Sequence, residues 1–211
     1  MLTHINRFYF VRHGQTWANK SQVFHADESI GLTDLGHQQA QRASAALSTL
    51  SISAIASSTY PRVQATIAPL LEIRPHLANS QHADLVERSF AALDGRRFED
   101  VVGETASDAS WAKFWFQVHE GVETEPDFRA RVRRGLETAL VQDDILIAAH
   151  GGILVSVIDN LGITRQSGVH GNAHPIKFER STSGDWGLQT WCWDTSSFVD
   201  VSANAPVNIG G

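Results

Sequence analysis

Four short segments of this 211-residue sequence set imidazole, guanidinium and carboxyl groups beside small residues: Arg12-His13-Gly14, Ser57-Ser58-Thr59 with Arg62 shortly after, Glu87, and His150-Gly151-Gly152. A neutral imidazole is a competent nucleophile at pH 7 and can divide one hard step into two through a covalent intermediate. A guanidinium presents a planar fork of donors that matches carboxylate or phosphate, whereas an ammonium is a point charge. The basic residues are strongly skewed towards the fork: Lys20, Lys113 and Lys177 are the only lysines among 17 Lys+Arg. Two histidines and a carboxylate could also hold a metal ion. No H-E-x-x-H spacing accompanies them, however, and the neighbouring arginines would repel a cation.

The order of elements decides whether these groups can meet. Phe8 to Val11 reads as a buried strand that ends at Arg12-His13-Gly14. Thr33 reads as the N-cap of a helix running to about Leu50, with Ala40, Ala43, Leu47 and Leu50 on one face. A second strand fits Ile52 to Ala56, after which Ser57-Ser58-Thr59 leads into a helix opening near Pro61. A weaker strand fits Ala83 to Val86 and is followed by Glu87. Residues 96–126 break the rhythm as a helical insertion, with Trp111, Phe114, Trp115 and Val118 forming a stripe that suits core packing or a lid. A helix from about Asp127 to Val141 comes next, and Ile145 to Ala149 is the clearest buried strand. His150-Gly151-Gly152 opens a helix to about Leu161, and strands at Pro175 to Arg180 and Gly187 to Trp193 form a hairpin.

This alternation predicts an α/β fold, a three-layer α/β/α sandwich with a mainly parallel central sheet. Residues 1–201 would form one domain, with 202–211 as a loose tail. In such sheets ligands collect outside the carboxyl ends of the strands. His13, His150, Arg12, Arg62 and Glu87 all fall there.

Five blocks carry a resemblance to a known family. Val11-Arg12-His13-Gly14-Gln15-Thr16 with Asn19 looks like the signature of the histidine phosphatase superfamily, which has the phosphoglycerate mutase-like fold. Leu32 to Ala40, Ser57 to Thr66, Leu85 to Phe90 with Asp94-Gly95, and Ala149 to Gly152 resemble the family's further blocks in the same order. Asp94 departs from the pattern, since Glu is commoner at that place. The resemblance implies that His13 attacks phosphorus and becomes phosphohistidine. It implies that Arg12, Arg62 and His150 hold the phosphoryl oxygens, with Asn19 as an uncharged donor. Gly151, at the start of a helix, would offer backbone N–H to the anion. Glu87 would protonate the leaving alkoxide and then deprotonate the attacking water, a role that calls for partial burial or a neighbouring phosphate charge. Gln15, Ser57 and Arg88 are further candidates for the phosphate site. His25 and His170 could line its mouth, and the remaining histidines match no block.

The implied activity is a phosphomonoester hydrolase of the metal-independent histidine phosphatase kind, using no cofactor and acting on a small phosphorylated metabolite. One alternative is a cofactor-dependent phosphoglycerate mutase-type phosphotransferase. Against it, those mutases have a longer Trp- and Asn-containing segment after the first block, and His-Gly-Asn where this chain has His-Gly-Gly. Arg88, Arg96 and Arg97 would be the residues to clamp a second anionic group. The other alternative is an inactive relative that binds phospholigands.

Composition restricts the setting. With 42% hydrophobic and 19% charged residues the chain has a globular balance. A net charge of −6 and no dense basic run predict no nucleic-acid partner. A single cysteine, Cys192, excludes an internal disulfide. Met1 to Phe10 is broken by His4, Asn6 and Arg7, unlike a signal peptide, and no apolar run is long enough for a membrane span. The expected location is cytoplasmic, with no membrane partner, and the late hairpin could pair across a homodimer.

Overall fold

The computed structural model describes residues 2–25, 28–103, 108–165, 169 and 171–201. A seven-stranded sheet runs through it in the order β3-β2-β4-β1-β5-β6-β7. Strands β1 (Arg7–Arg12), β2 (Ala54–Ser58), β3 (Asn79–His82) and β4 (Ile145–Ala149) are mutually parallel. Strands β5 (Pro175–Arg180), β6 (Trp186–Cys192) and β7 (Ser197–Asp200) continue the sheet antiparallel.

Side-chain alternation along the central strands explains the layers. Phe8, Phe10, Ile145, Ile147 and Ala149 face one way, onto α6 (Glu125–Ala139) and α7 (Gly151–Asn160), through Phe128, Val132, Leu136, Ile153 and Val157. Tyr9, Val11, Leu146 and Ala148 face the other way, onto α2 (Asp34–Ser48) and α3 (Pro61–Ile73), through Ala43, Leu47, Val63, Ile67 and Leu70. Covered on both faces, β4 is apolar at every position, as a buried parallel strand should be. Each fully buried Phe, Leu or Ile here contributes about 1.5–3 kcal/mol.

Caps fix where the helices begin. Thr33 Oγ1 accepts the N–H of Gly36 (3.0 Å), and Pro61 occupies the first turn of α3, where no donor is needed. Thr16 caps the short α1 (Trp17–Ser21), which is too brief to announce itself by periodicity. Helix α6 starts two residues earlier than Asp127, because Thr124 caps it and Pro126 sits in its first turn.

Several expected boundaries need correction. Strand β2 ends at Ser58, so Ser57 and Ser58 are strand residues that complete the pairing with β3. The strand expected at Ala83 to Val86 lies instead at Asn79–His82, and Ala83–Leu85 forms a 3-10 turn. At the sheet edge β3 needs no apolar run; Asn79 bonds Ser57 and Gln64 instead. The insertion holds two short helices, α4 (Phe98–Val102) and α5 (Asp108–Phe116). Phe114 and Trp115 are buried, but α5 stops at Phe116 and leaves Val118 84% exposed, outside the stripe. Strand β7 carried no alternation strong enough to be read in advance. The expected tail at 202–211 and the side chain of Trp111 lie outside the described residues. Among the described residues no helix is long and apolar enough to cross a membrane.

Candidate active site

The parallel strands β1, β2 and β4 end together, and the reactive groups stand at that edge. The β1–β4 pairing continues one step past the strand, where the N–H of His13 donates to the carbonyl of Ala149 (3.0 Å). The ring of the next residue, His150, lies 5.3 Å from that of His13. Both imidazoles are buried. The first turn of α3 supplies Arg62, also buried, whose guanidinium lies 4.6 Å from the ring of Tyr60. Glu87 reaches in from the segment after the 3-10 turn. Its Oε2 accepts the N–H of Gly152 (3.1 Å) and its Oε1 accepts the N–H of Arg88 (2.9 Å). The Arg12 guanidinium packs against Gly151, where a Cβ would lie 3.3 Å from Cζ.

Two glycines make this convergence possible. A Cβ on Gly14 would stand 2.5 Å from the carbonyl oxygen of Gly36, so the loop after β1 and the start of α2 meet backbone to backbone. A Cβ on Gly152 would stand 2.3 Å from Glu87 Oε1 and 2.9 Å from Trp115. Hydroxyl links hold the loop as well: Gly14 N–H donates to Thr66 Oγ1 (2.9 Å), which donates to the carbonyl of Arg62 (2.7 Å). Asn172 Nδ2 donates to the carbonyl of His13 (2.9 Å).

Electrostatics set the protonation states. Burial holds His13 well below the usual imidazole range, and the charges of Arg12 and Arg62 push it further the same way. His150 is lowered well below its ordinary value by burial, then by His13, Arg62 and Arg12. Burial lowers Arg12 too, while Glu87 supports its charge. Tyr60 is pushed up to about 12 by burial and by donation to Glu28 Oε1 at 2.9 Å. His13 Nδ1 lies 2.8 Å from the carbonyl of Gly14. A carbonyl only accepts, so Nδ1 carries the hydrogen and Nε2 keeps its lone pair. Guanidinium charge beside neutral imidazoles makes a cleft suited to an anion, with one nitrogen lone pair available for attack.

His13, His150, Arg12, Arg62 and Glu87 are brought together, with Gly151 beside them at the start of α7. Asn19 uses Oδ1 to accept from Thr16 and Asn172, which leaves its NH2 group as the remaining donor near this loop. Gln15 ties back to the start of α2, accepting from Thr33 Oγ1 (3.0 Å). Ser57 donates to Asn79 on β3 (2.8 Å).

Arg88 points into the insertion. Its buried guanidinium donates to the carbonyls of Trp115 (3.0 Å) and Glu123 (2.8 Å), clamping the insertion. Arg97 pairs with Glu99 (2.9 Å), and His25 lies 3.9 Å from Asp94. His170 lies outside the described residues. Sequence reasoning assigned no role to Ser58, Tyr60, Thr66 or Asn172. The signal for Ser58 and Thr66 was their place in a family block, and for Asn172 there was none. Among the described residues no cluster of three or more His, Cys, Asp or Glu side chains forms a metal site.

Comparison with known proteins identifies the family. The profile of the histidine phosphatase superfamily (branch 1) matches residues 8–193. A probable phosphatase of Schizosaccharomyces pombe is 33% identical over 90 residues, covering 42% of this chain and 43% of that protein. The chain thus spans less than half the length of that relative. A 2,3-bisphosphoglycerate-dependent phosphoglycerate mutase of Rhizobium etli is 29% identical over 170 residues, covering 75% of this chain and 81% of the mutase. The structure of mycobacterial glucosyl-3-phosphoglycerate phosphatase, in complex with VO3, superposes with a TM-score of 0.69 at 22% identity, over 88% of this chain and 98% of that one. At that identity the likeness concerns the fold. The chain belongs to the histidine phosphatase superfamily, branch 1.

Proposed function

We propose that this member of the histidine phosphatase superfamily hydrolyses phosphate monoesters of small metabolites through a phosphohistidine, without a metal. His13 Nε2 forms a bond to phosphorus while the bond from phosphorus to the alcohol oxygen breaks. Glu87 in its protonated form supplies the proton to the leaving oxygen. Water then attacks phosphohistidine, Glu87 takes the water's proton, and the N–P bond breaks to release inorganic phosphate and neutral imidazole. Arg12, Arg62 and His150 hold the phosphoryl oxygens through both steps, and Asn19 adds an uncharged donor.

The single observation that carries the reading is the state of His13. Its Nδ1 is occupied by the Gly14 carbonyl at 2.8 Å, and burial beside two guanidiniums keeps the ring neutral. Metal binding is disfavoured by those same cations. A mutase would also need a clamp for a second anionic group. Of the three arginines that could form it, Arg88 donates to backbone carbonyls and Arg97 pairs with Glu99, which leaves Arg96 and favours the hydrolase over the phosphotransferase.

The test is turnover of p-nitrophenyl phosphate by wild type and His13→Ala in EDTA, with trapping of an acid-labile, base-stable phosphoprotein. Activity in EDTA that vanishes with His13 is expected. Activity retained by His13→Ala would refute the mechanism. Phosphoryl transfer dependent on a bisphosphorylated primer would restore the mutase, and binding without turnover would favour the inactive relative. A screen of phosphorylated metabolites, ranked by kcat/KM, identifies the substrate. We assign the activity to the cytoplasm, where such esters are held, and cell fractionation checks this.

A further inference from the structure

We propose that Ser58 is a positioning residue that fixes the proton of His150, so that this imidazole presents an N–H, rather than a lone pair, to a bound phosphoryl group. The inference rests on the proposed phosphate site but concerns a residue to which that mechanism gives no part.

Ser58 is fully buried at the end of β2, with Oγ 2.8 Å from His150 Nε2. The N–H of Tyr60 donates to the same oxygen (3.3 Å). Among the described residues the hydroxyl hydrogen then has one hydrogen-bond acceptor, His150 Nε2. Were Nε2 to carry the ring hydrogen, two buried groups would go unmet, the hydroxyl hydrogen and the Nδ1 lone pair, against one when Nδ1 carries it. The hydrogen of His150 therefore sits on Nδ1, which is buried and has no partner among the described residues. The ring is neutral, as its strongly lowered pKa requires, so the choice of nitrogen is a real one.

The two histidines thus share a tautomer but show the anion opposite ends. His13 has its Nδ1 hydrogen taken by Gly14 and offers Nε2 as a lone pair. His150 has its Nε2 lone pair taken by Ser58 and keeps its Nδ1 hydrogen to give. A lone pair in place of that hydrogen would repel a phosphoryl oxygen.

Ser58 is itself held. Gln64 Nε2 donates to the carbonyl of Ser58 (2.6 Å) and to Ser57 Oγ (2.9 Å), while Gln64 Oε1 accepts from Asn79 Nδ2 (3.1 Å). This side-chain amide cinches the end of β2 to α3 and β3, and so sets the direction of the hydroxyl.

The test is the long-range 1H–15N spectrum of the 15N-histidine-labelled full chain, with the His150 resonances assigned by their loss in His150→Gln. Wild type should show His150 protonated on Nδ1, the minor form of a free neutral imidazole. In Ser58→Ala that signature should give way to a mixture, and affinity for inorganic phosphate should weaken about tenfold, the effect of one lost hydrogen bond. Ser58→Thr, which keeps the hydroxyl, should restore both. Wild-type His150 protonated on Nε2 would overturn the proposal without recourse to any variant. So would Ser58→Ala with an unchanged tautomer and unchanged phosphate affinity. Failure of wild type to turn over any ester would count against the hydrolase reading alone, since both readouts here are independent of turnover.

Discussion

His13 combines burial, two neighbouring guanidiniums and a carbonyl on Nδ1, and each has a measurable consequence. Because its pKa lies well below the ordinary 6.5, the free protein should keep His13 neutral as pH falls through that value. Its Cε1–H resonance should be flat from pH 8 to about 6; a sigmoid centred near the ordinary imidazole value would contradict the geometry. Gly152 is as constrained as any charged group. Gly152→Ala puts a methyl 2.3 Å from Glu87 Oε1, so the carboxylate must move and kcat should fall about 100-fold, the usual worth of a placed acid–base group. Circular dichroism unchanged alongside full activity would show that the contact yields without cost. The five principal side chains were legible because each stands in a short block that follows a strand within a few residues. Arg88 follows Glu87 in the sequence, but its hydrogen bonds run to the insertion. In an extended segment consecutive side chains point to opposite sides; with Glu87 turned to the cleft, Arg88 turns into the insertion.

Between elements, the join that matters most is the one Arg88 makes. Its fork reaches two carbonyls, those of Trp115 at the end of α5 and Glu123 before α6, and its guanidinium lies 4.8 Å from the Trp115 ring. Trp115 in turn packs on Gly152 beside Glu87. Arg88→Ala should lower stability by about 2 kcal/mol in urea titrations, speed amide exchange across α5, and reduce kcat more than it raises KM. Arg88→Lys should fail to rescue, since one ammonium cannot span both acceptors; full rescue would mean that charge alone suffices. Strong apolar periodicity made β4, α2 and α6 readable. It failed for β3, whose residues Asn79 to His82 satisfy the sheet edge with polar side chains, and for β2, placed two residues early. A pattern of buried side chains gives a strand's face more reliably than its end, which depends on which backbone groups find partners.

Among the described residues, three histidines are buried and neutral. His13 and His150 lie well below 6.5, and burial brings His174 down to about 4. The unfolded chain takes up these protons first as pH drops, so stability is fully present above 6.5 and is lost as pH falls towards the folded-state values. The urea midpoint should therefore rise with pH between about 5 and 7, and His174→Asn should flatten that slope. A slope unchanged by the substitution would assign the dependence to the other two. Net charge and composition foretold none of this, because they do not say which histidines the sheet encloses. The strand order carries a consequence for how the chain is made. In the sequence β1 and β2 come early and β4 follows some ninety residues later, yet β4 lies between them in the sheet. The Gly14–Thr66 hydrogen bond links the loops that carry His13 and Arg62, but the strands beneath them have no partner in common until the ribosome has released Ile145–Ala149. A chain ending at residue 142 lacks β4 and His150 and should lack phosphate affinity, so the nascent protein stays catalytically silent until more than two-thirds of it has emerged.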